Sequence, residues 1–298
     1  NMFASAISAL LLLPQYFQFR FDFDFKLLKR MLLYGLPVMI GGFAGMVNET
    51  FDRIALRHLS SCPQETADCN NWIMGQIGIY GACYKLSIIM SLFIQAFKFA
   101  AEPFFFSKMN RGDAKQTYAT VLNVYTLFLL TVFLGVVAYM DILQYFVGGQ
   151  YRIGLNIVPI LLMANLCLGV YYNLSIWYKV SDKTIYGAYI SIIGAIITLL
   201  MNCLLVPKFG YIGAAWTTLL CYVSIMLLCY FIGQKYYPVN YPIKRLMLYT
   251  FFALLLFGLM QLIGANIGIT MRLIANTLLL LIFIITAYHF DIRKLLKS

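Results

Sequence analysis

Between Met31 and Asn48 the chain reads MLLYGLPVMIGGFAGMVN without a charge, and as a helix rising 1.5 Å per residue this stretch is long enough to cross the core of a bilayer. Further apolar runs follow at Gln76 to Phe99, Tyr118 to Met140, Leu155 to Trp177, Thr184 to Leu205, Ile212 to Ile232, Leu246 to Ile263 and Met271 to Tyr288. Together with the first, these runs predict eight complete spans. The fold class expected is therefore an all-α polytopic membrane protein. Hydrophobic residues make up 62% of the chain and charged residues 11%, against about a quarter charged in a soluble domain.

The first span changes character at its far end. Glu49, Asp52, Arg53 and Arg57 follow Asn48 at steps of one, three and four residues, so a continuing helix places them along one stripe. Charge at membrane depth is costly unless it faces a polar interior, which makes the stripe a candidate site. The competing reading ends the helix near Asn48 and leaves interfacial anchors with a Glu49–Arg53 pair. Arg53 and Arg57 share the outer half of the membrane with Lys85 of the next span. A cationic cavity between the two would suit an anionic headgroup, because the planar guanidinium fork matches phosphate. Lys85 reads equally as a side chain snorkelling to the interface. Lys98, in the same span, reads as structural, paired four residues on with Glu102, after which Pro103 stops the helix.

The net charge of +11 invites a nucleic-acid reading, but the basic residues lie in short patches between apolar runs, so no nucleic-acid partner is expected. One side collects Arg20, Lys26, Lys29, Arg30, Lys108, Arg111, Lys115, Lys179, Lys183, Lys235, Lys244, Arg245, Arg293, Lys294 and Lys297. The other holds Arg53, Arg57, Arg152, Lys208 and Arg272. That excess places the first side, and with it the carboxy terminus, in the cytoplasm. Asn1 is not a start methionine, and the apolar run Met2 to Leu13 is short before Pro14, so the chain reads as a segment of a longer protein without a signal peptide. RFDFDFKLLKR, alternating Phe with charge, reads as an interfacial strap.

Of seven cysteines only Cys62 and Cys69 lie in a polar loop, SSCPQETADCNNW; if that loop faces an oxidising compartment the two are candidates for a disulfide. No cysteine pair has metal-ligand spacing with His58 or His289, and neither a P-loop nor a Ser/His/Asp constellation is present. No metal, cofactor or enzymatic activity is expected. The triplets at Asn48 and Asn173 fall in or against spans and are chance matches to a glycosylation signal. Gly41 and Gly45 form a GxxxG whose default meaning is close helix packing; together with Gly35, Pro37 and Gly42 they also allow a helix that bends.

Several of these stretches carry a resemblance. GLPVMIGGF at Gly35 to Phe43, Asp52-Arg53, GIYGACYKL at Gly78 to Leu86, Lys183-Thr184 and above all VPKFGYIGAAW at Val206 to Trp216 resemble the polysaccharide flippases of the multidrug, oligosaccharidyl-lipid and polysaccharide exporter superfamily. The likeness covers roughly Arg30 to Ile232, and two closing spans fit the fourteen-helix members. It implies two six-helix bundles around a cavity that opens alternately to each side. Residues 1–17 are then the truncated end of a helix of the first bundle and 18–30 a cytoplasmic strap. Residues 31–232 form the second bundle, 246–289 two additional helices and 290–298 a basic cytoplasmic tail.

The implied activity is moving a polyprenyl-diphosphate-linked oligosaccharide from the cytoplasmic to the outer leaflet of a bacterial inner membrane, for surface polysaccharide or lipopolysaccharide assembly. Arg53, Arg57 and Lys85 are the residues that could engage the diphosphate. Glu49 and Asp52 are candidates for a coupling proton or sodium ion, or simply neutralise Arg53 and Arg57. The first bundle, missing from this chain, is the partner that the resemblance implies. A cation-coupled drug exporter of the same superfamily is the alternative, expected to have an acidic and aromatic cavity. An oligosaccharide polymerase is the third reading, expected to carry a longer outer loop than this chain has.

Overall fold

A computed structural model describes residues 2–17, 24–62, 68–109, 112–264 and 268–292. The described residues are 91% helical, with no strand among them, as hydrocarbon demands: a helix satisfies its backbone N–H and C=O groups within one segment. After α1 (Met2–Phe17) come α2 (Phe25–Leu59), α3 (Cys69–Lys108), α4 (Ala114–Ala138), the short α5 (Met140–Leu143), α6 (Val158–Leu174), the short α7 (Ile176–Val180), α8 (Thr184–Phe209), α9 (Tyr211–Tyr236), α10 (Ile243–Gly264) and α11 (Ile269–Ala287). A 3₁₀ stretch, Gly149–Ile157, leads into α6. Among the described residues eight helical stretches are long and apolar enough to cross a membrane, as the apolar runs predict: this is a polytopic membrane protein.

The helices overrun the predicted spans for identifiable reasons. Asp24 caps α2 by accepting from the Lys26 and Leu27 amides, so residues 25–30 of the expected strap are its opening turns. Residues 18–23 of that strap, and the tail from 293, lie outside the described residues. Asp68 caps α3 in the same way through the Asn71 amide. Pro103 does not end α3, which continues to Lys108. A proline this near the end forfeits little, and the turns beyond it are docked: Phe105 is buried against the edge of Tyr118, whose hydroxyl donates to the Phe105 carbonyl at 3.2 Å.

Packing is built on α6, held between α3 and α4 on one side and α9 on the other, with α8 lying between α9 and α2. Leu129, Leu130 and Leu134 of α4 meet Leu161, Leu162 and Ala164 of α6 in the buried core. The VPKFGYIGAAW motif is the hinge of the α8–α9 hairpin. Gly210 has φ of +55°, and the position a Cβ would take on Gly213 is 2.5 Å from the Leu205 carbonyl oxygen, so both must be glycine. The helices α10 and α11 pair with each other and lean on α4.

Candidate functional site

A cavity of about 360 Å³ opens among α2, α6, α8 and α9. Its α2 wall is made by Pro37, Gly41, Gly42 and Gly45, and at Gly42 and Gly45 a Cβ would meet nothing within 4 Å. The GxxxG is thus split in use. Gly41 packs on α8, 3.4 Å from the Ser191 hydroxyl measured from a Cβ position, whereas Gly45 clears space. Tyr171 and Tyr172 of α6 and Tyr222 of α9 face the same space.

The charged side chains on this wall are Glu49, Lys98 and Lys179. Lys98 lies over the Tyr172 ring, its ammonium 4.8 Å from the centroid. The expected Lys98–Glu102 pair is not formed; Glu102 instead takes an ion pair with Lys179 of α7. The i to i+4 spacing permits the local pair, but the Tyr172 face offers the Lys98 ammonium a competing site, and α7 brings a second ammonium to the carboxylate.

Asp52, one turn beyond Glu49, is buried with 1% of its surface exposed. Three helices converge on it. Tyr80 of α3 donates to Oδ2 at 2.6 Å, Thr218 of α9 donates to Oδ2 at 2.7 Å, and the Asn202 amide of α8 donates to Oδ1 at 2.9 Å. A carboxylate in an apolar interior persists only with such donors. Asn202 Oδ1 and the hydroxyl of Thr198, one turn earlier on α8, are buried and have no partner.

The other charges of the stripe part company. Helix α2 runs on to Leu59, so the reading that ends it near Asn48 is set aside. At 3.6 residues per turn, positions 49, 52, 53 and 57 span about 140° of circumference, wide enough to meet different surroundings. Glu49 faces the cavity and accepts from the Tyr84 hydroxyl at 3.3 Å. Arg53 is half-buried with its guanidinium over the Tyr84 ring, 5.1 Å from the centroid, and is not ion-paired to Glu49 among the described residues. Arg57 and Lys85 are exposed. The cavity wall therefore does not include Arg53, Arg57 or Lys85; its cations are Lys98 and Lys179.

Cys62 and Cys69 are free thiols close enough to interact, on either side of residues 63–67, which lie outside the described residues. No cluster of three or more His, Cys, Asp or Glu side chains is placed for a metal among the described residues.

Reading the spans for charge alone passes over Tyr80, Asn202 and Thr218. Asn202 in LLMNCLL is the signal that could have found the network, since an amide in the middle of an apolar run needs a partner. Set against known proteins, the chain matches no family model and no curated protein.

Proposed function

We propose that this chain works in a membrane transporter of the flippase type. It would move a polyprenyl-diphosphate-linked oligosaccharide across a bacterial inner membrane by alternating access, in the assembly of surface polysaccharide. The observation that carries the proposal is the pair of ammonium groups, Lys98 and Lys179, on the wall of a cavity whose acidic side chain is Glu49 and whose remaining lining is glycine, tyrosine, small polar and apolar residues. A diphosphate crossing hydrocarbon unaided loses its hydration, and cations in a polar cleft between membrane helices offset that loss. The sequence resemblance to polysaccharide flippases supports the same reading and supplies the opposing wall, a first six-helix bundle. In this proposal Arg53, Arg57 and Lys85 lie along the outer half of the route, and Lys98 and Lys179 receive the headgroup first, at the basic, cytoplasmic end.

Asp52 serves as the coupling site in this proposal, with Glu49 as the group that meets the cavity. The unpartnered Oδ1 of Asn202, on the same amide that donates to the carboxylate, is a ligand suited to a small cation, and a proton would satisfy the carboxylate without it. Transport measured with an imposed proton gradient and with an imposed sodium gradient separates these two; dependence on neither removes Asp52 from coupling.

The decisive experiment replaces Lys98 and Lys179 together by Ala in the full-length protein and measures surface polysaccharide at matched protein levels. A fall of about tenfold or more is expected, one charge-assisted hydrogen bond being worth that much. Wild-type polysaccharide in the double variant would refute the headgroup site. A second reading, a cation-coupled drug exporter, is favoured by the tyrosines and Glu49 on the cavity wall. Resistance to cationic drugs that disappears in Glu49→Gln, with polysaccharide intact, would establish it in place of the first.

A further inference from the structure

At the end of the molecule where α4 and α10 begin and α11 finishes, away from the transport cavity, two recesses share one wall. The wall is Arg245 of α10 and Asp291, which follows α11. On its membrane side is an apolar groove of about 520 Å³ between α10 and α11, lined by Leu248, Phe251, Phe252, Leu255 and Phe290. On the α4 side is a polar cleft of about 220 Å³, lined by Gln116, Thr120, Asn123 and Asn240. The groove is within the size range of small-molecule sites, and Leu248, Phe251, Leu255 and Phe290 are all exposed along it.

The polar groups of this wall are arranged for a ligand bearing both charges. Arg245 is 60% exposed and uses a single donor within the described residues, Nη1 to Asp291 Oδ1 at 3.3 Å. The rest of its fork is free for a phosphate, and Lys244 beside it is exposed at the same level. Asp291 is buried and accepts from the Tyr249 hydroxyl and from the Asn123 amide at 3.2 Å. Asn123, itself 94% buried, lines the polar cleft, and its Oδ1, buried with it, has no donor. An unpartnered acceptor beside a buried carboxylate calls for a donor carrying positive charge.

We propose that this double recess binds one phospholipid with a primary ammonium headgroup, of the phosphatidylethanolamine type. An acyl chain fills the α10–α11 groove, the phosphate lies on Arg245, and the ammonium enters the cleft to donate to Asn123 and face Asp291. The groove requires an apolar tail, the arginine a phosphate, and the orphaned acceptor a hydrogen-bond donor. An anionic lipid with a glycerol headgroup offers hydroxyl donors but no positive charge to set against Asp291. This assignment is independent of the transport proposal and holds whatever the cavity carries.

The test uses the intact, delipidated protein with dioleoyl phospholipids whose headgroup is ethanolamine, its mono-, di- and trimethylated forms, or glycerol, and counts retained lipid by native mass spectrometry. Retention of the ethanolamine lipid should exceed that of the trimethylated lipid, which has no N–H to donate, by about tenfold. Leu255→Trp, which fills the groove, should lower retention of every lipid alike. Asn123→Leu should abolish the ethanolamine preference while leaving total retention high. The methylation series in the wild-type protein needs no variant, so a misfolded Asn123→Leu leaves the test intact. Equal retention across the series, preference for the glycerol headgroup, or no retained lipid would each overturn the proposal.

Discussion

The amide of Asn202 donates to Asp52 Oδ1 at 2.9 Å and so ties the middle of α8 to α2, 150 residues away in sequence. Its other face, Oδ1, has no partner. Asn202→Leu removes a donor from a buried carboxylate and should destabilise the fold by about 1.5–3 kcal/mol. Asp52→Asn should cost less than that, because Asn202 can turn its amide over and present the idle Oδ1 to the new amide. Thermal unfolding of the two variants in the same detergent checks the order. A larger loss in Asp52→Asn than in Asn202→Leu would mean that the negative charge itself, and not the hydrogen bonding, holds the four helices together.

Gly213 of the α8–α9 hairpin and Gly81 of α3 should respond in opposite ways to the same substitution. A Cβ on Gly213 would lie 2.5 Å from the Leu205 carbonyl oxygen, and this contact is with backbone, which cannot swing aside. Gly213→Ala should therefore cost about 1–3 kcal/mol or more through overpacking. Gly81→Ala, where nothing lies within 4 Å, should be neutral or gain up to about 1 kcal/mol from helix propensity. Equal melting temperatures for the two would show that the hairpin can open to make room.

Much of this architecture is legible in the sequence, because a span announces itself over some twenty residues and no other arrangement satisfies its backbone. The packing motif at Gly210 and Gly213 is legible for a similar reason: local geometry demands glycine there. The site is less so. Lys98 and Glu102 have the spacing of a local pair, and only the fold brings Lys179 to Glu102 from 77 residues away. The partners of Asp52 lie 28, 150 and 166 residues off, distances over which no periodicity carries information. Charge placed Arg53, Arg57 and Lys85 in view, but which way a side chain faces depends on what packs beside its helix.

Cys62 and Cys69, the latter opening α3, are two free thiols whose chemistry can be read directly. Cys69 is exposed and Cys62 partly so, whereas Cys83, Cys167, Cys221 and Cys229 are buried. A membrane-impermeant maleimide should label Cys62 and Cys69 in the reduced protein and spare those four. Treatment with a diazene oxidant, itself reduced to the hydrazine as the two thiols form one disulfide, should remove both labels together, and a thiol reductant should restore them. Loss of only one label, or the appearance of crosslinked dimers in place of an internal bridge, would show that the contact between the two does not become a bond.

The α2 wall of the cavity allows stability and transport to be separated in a single variant. Gly45 sits mid-helix, facing open space, so a larger residue there meets no neighbour within 4 Å of its Cβ. Replacing glycine by leucine inside a helix favours folding by about 0.8–1 kcal/mol through reduced backbone entropy, so Gly45→Leu should unfold at the same temperature as the wild type or higher. The leucine side chain would at the same time occupy the volume between Tyr172, Tyr222 and Glu49. If a bulky headgroup passes through that volume, surface polysaccharide should fall severalfold while protein abundance holds, and Gly45→Ala, with one methyl in place of four carbons, should lie between. Full transport in Gly45→Leu would mean that the cavity is not on the path, whatever its charges are suited to bind.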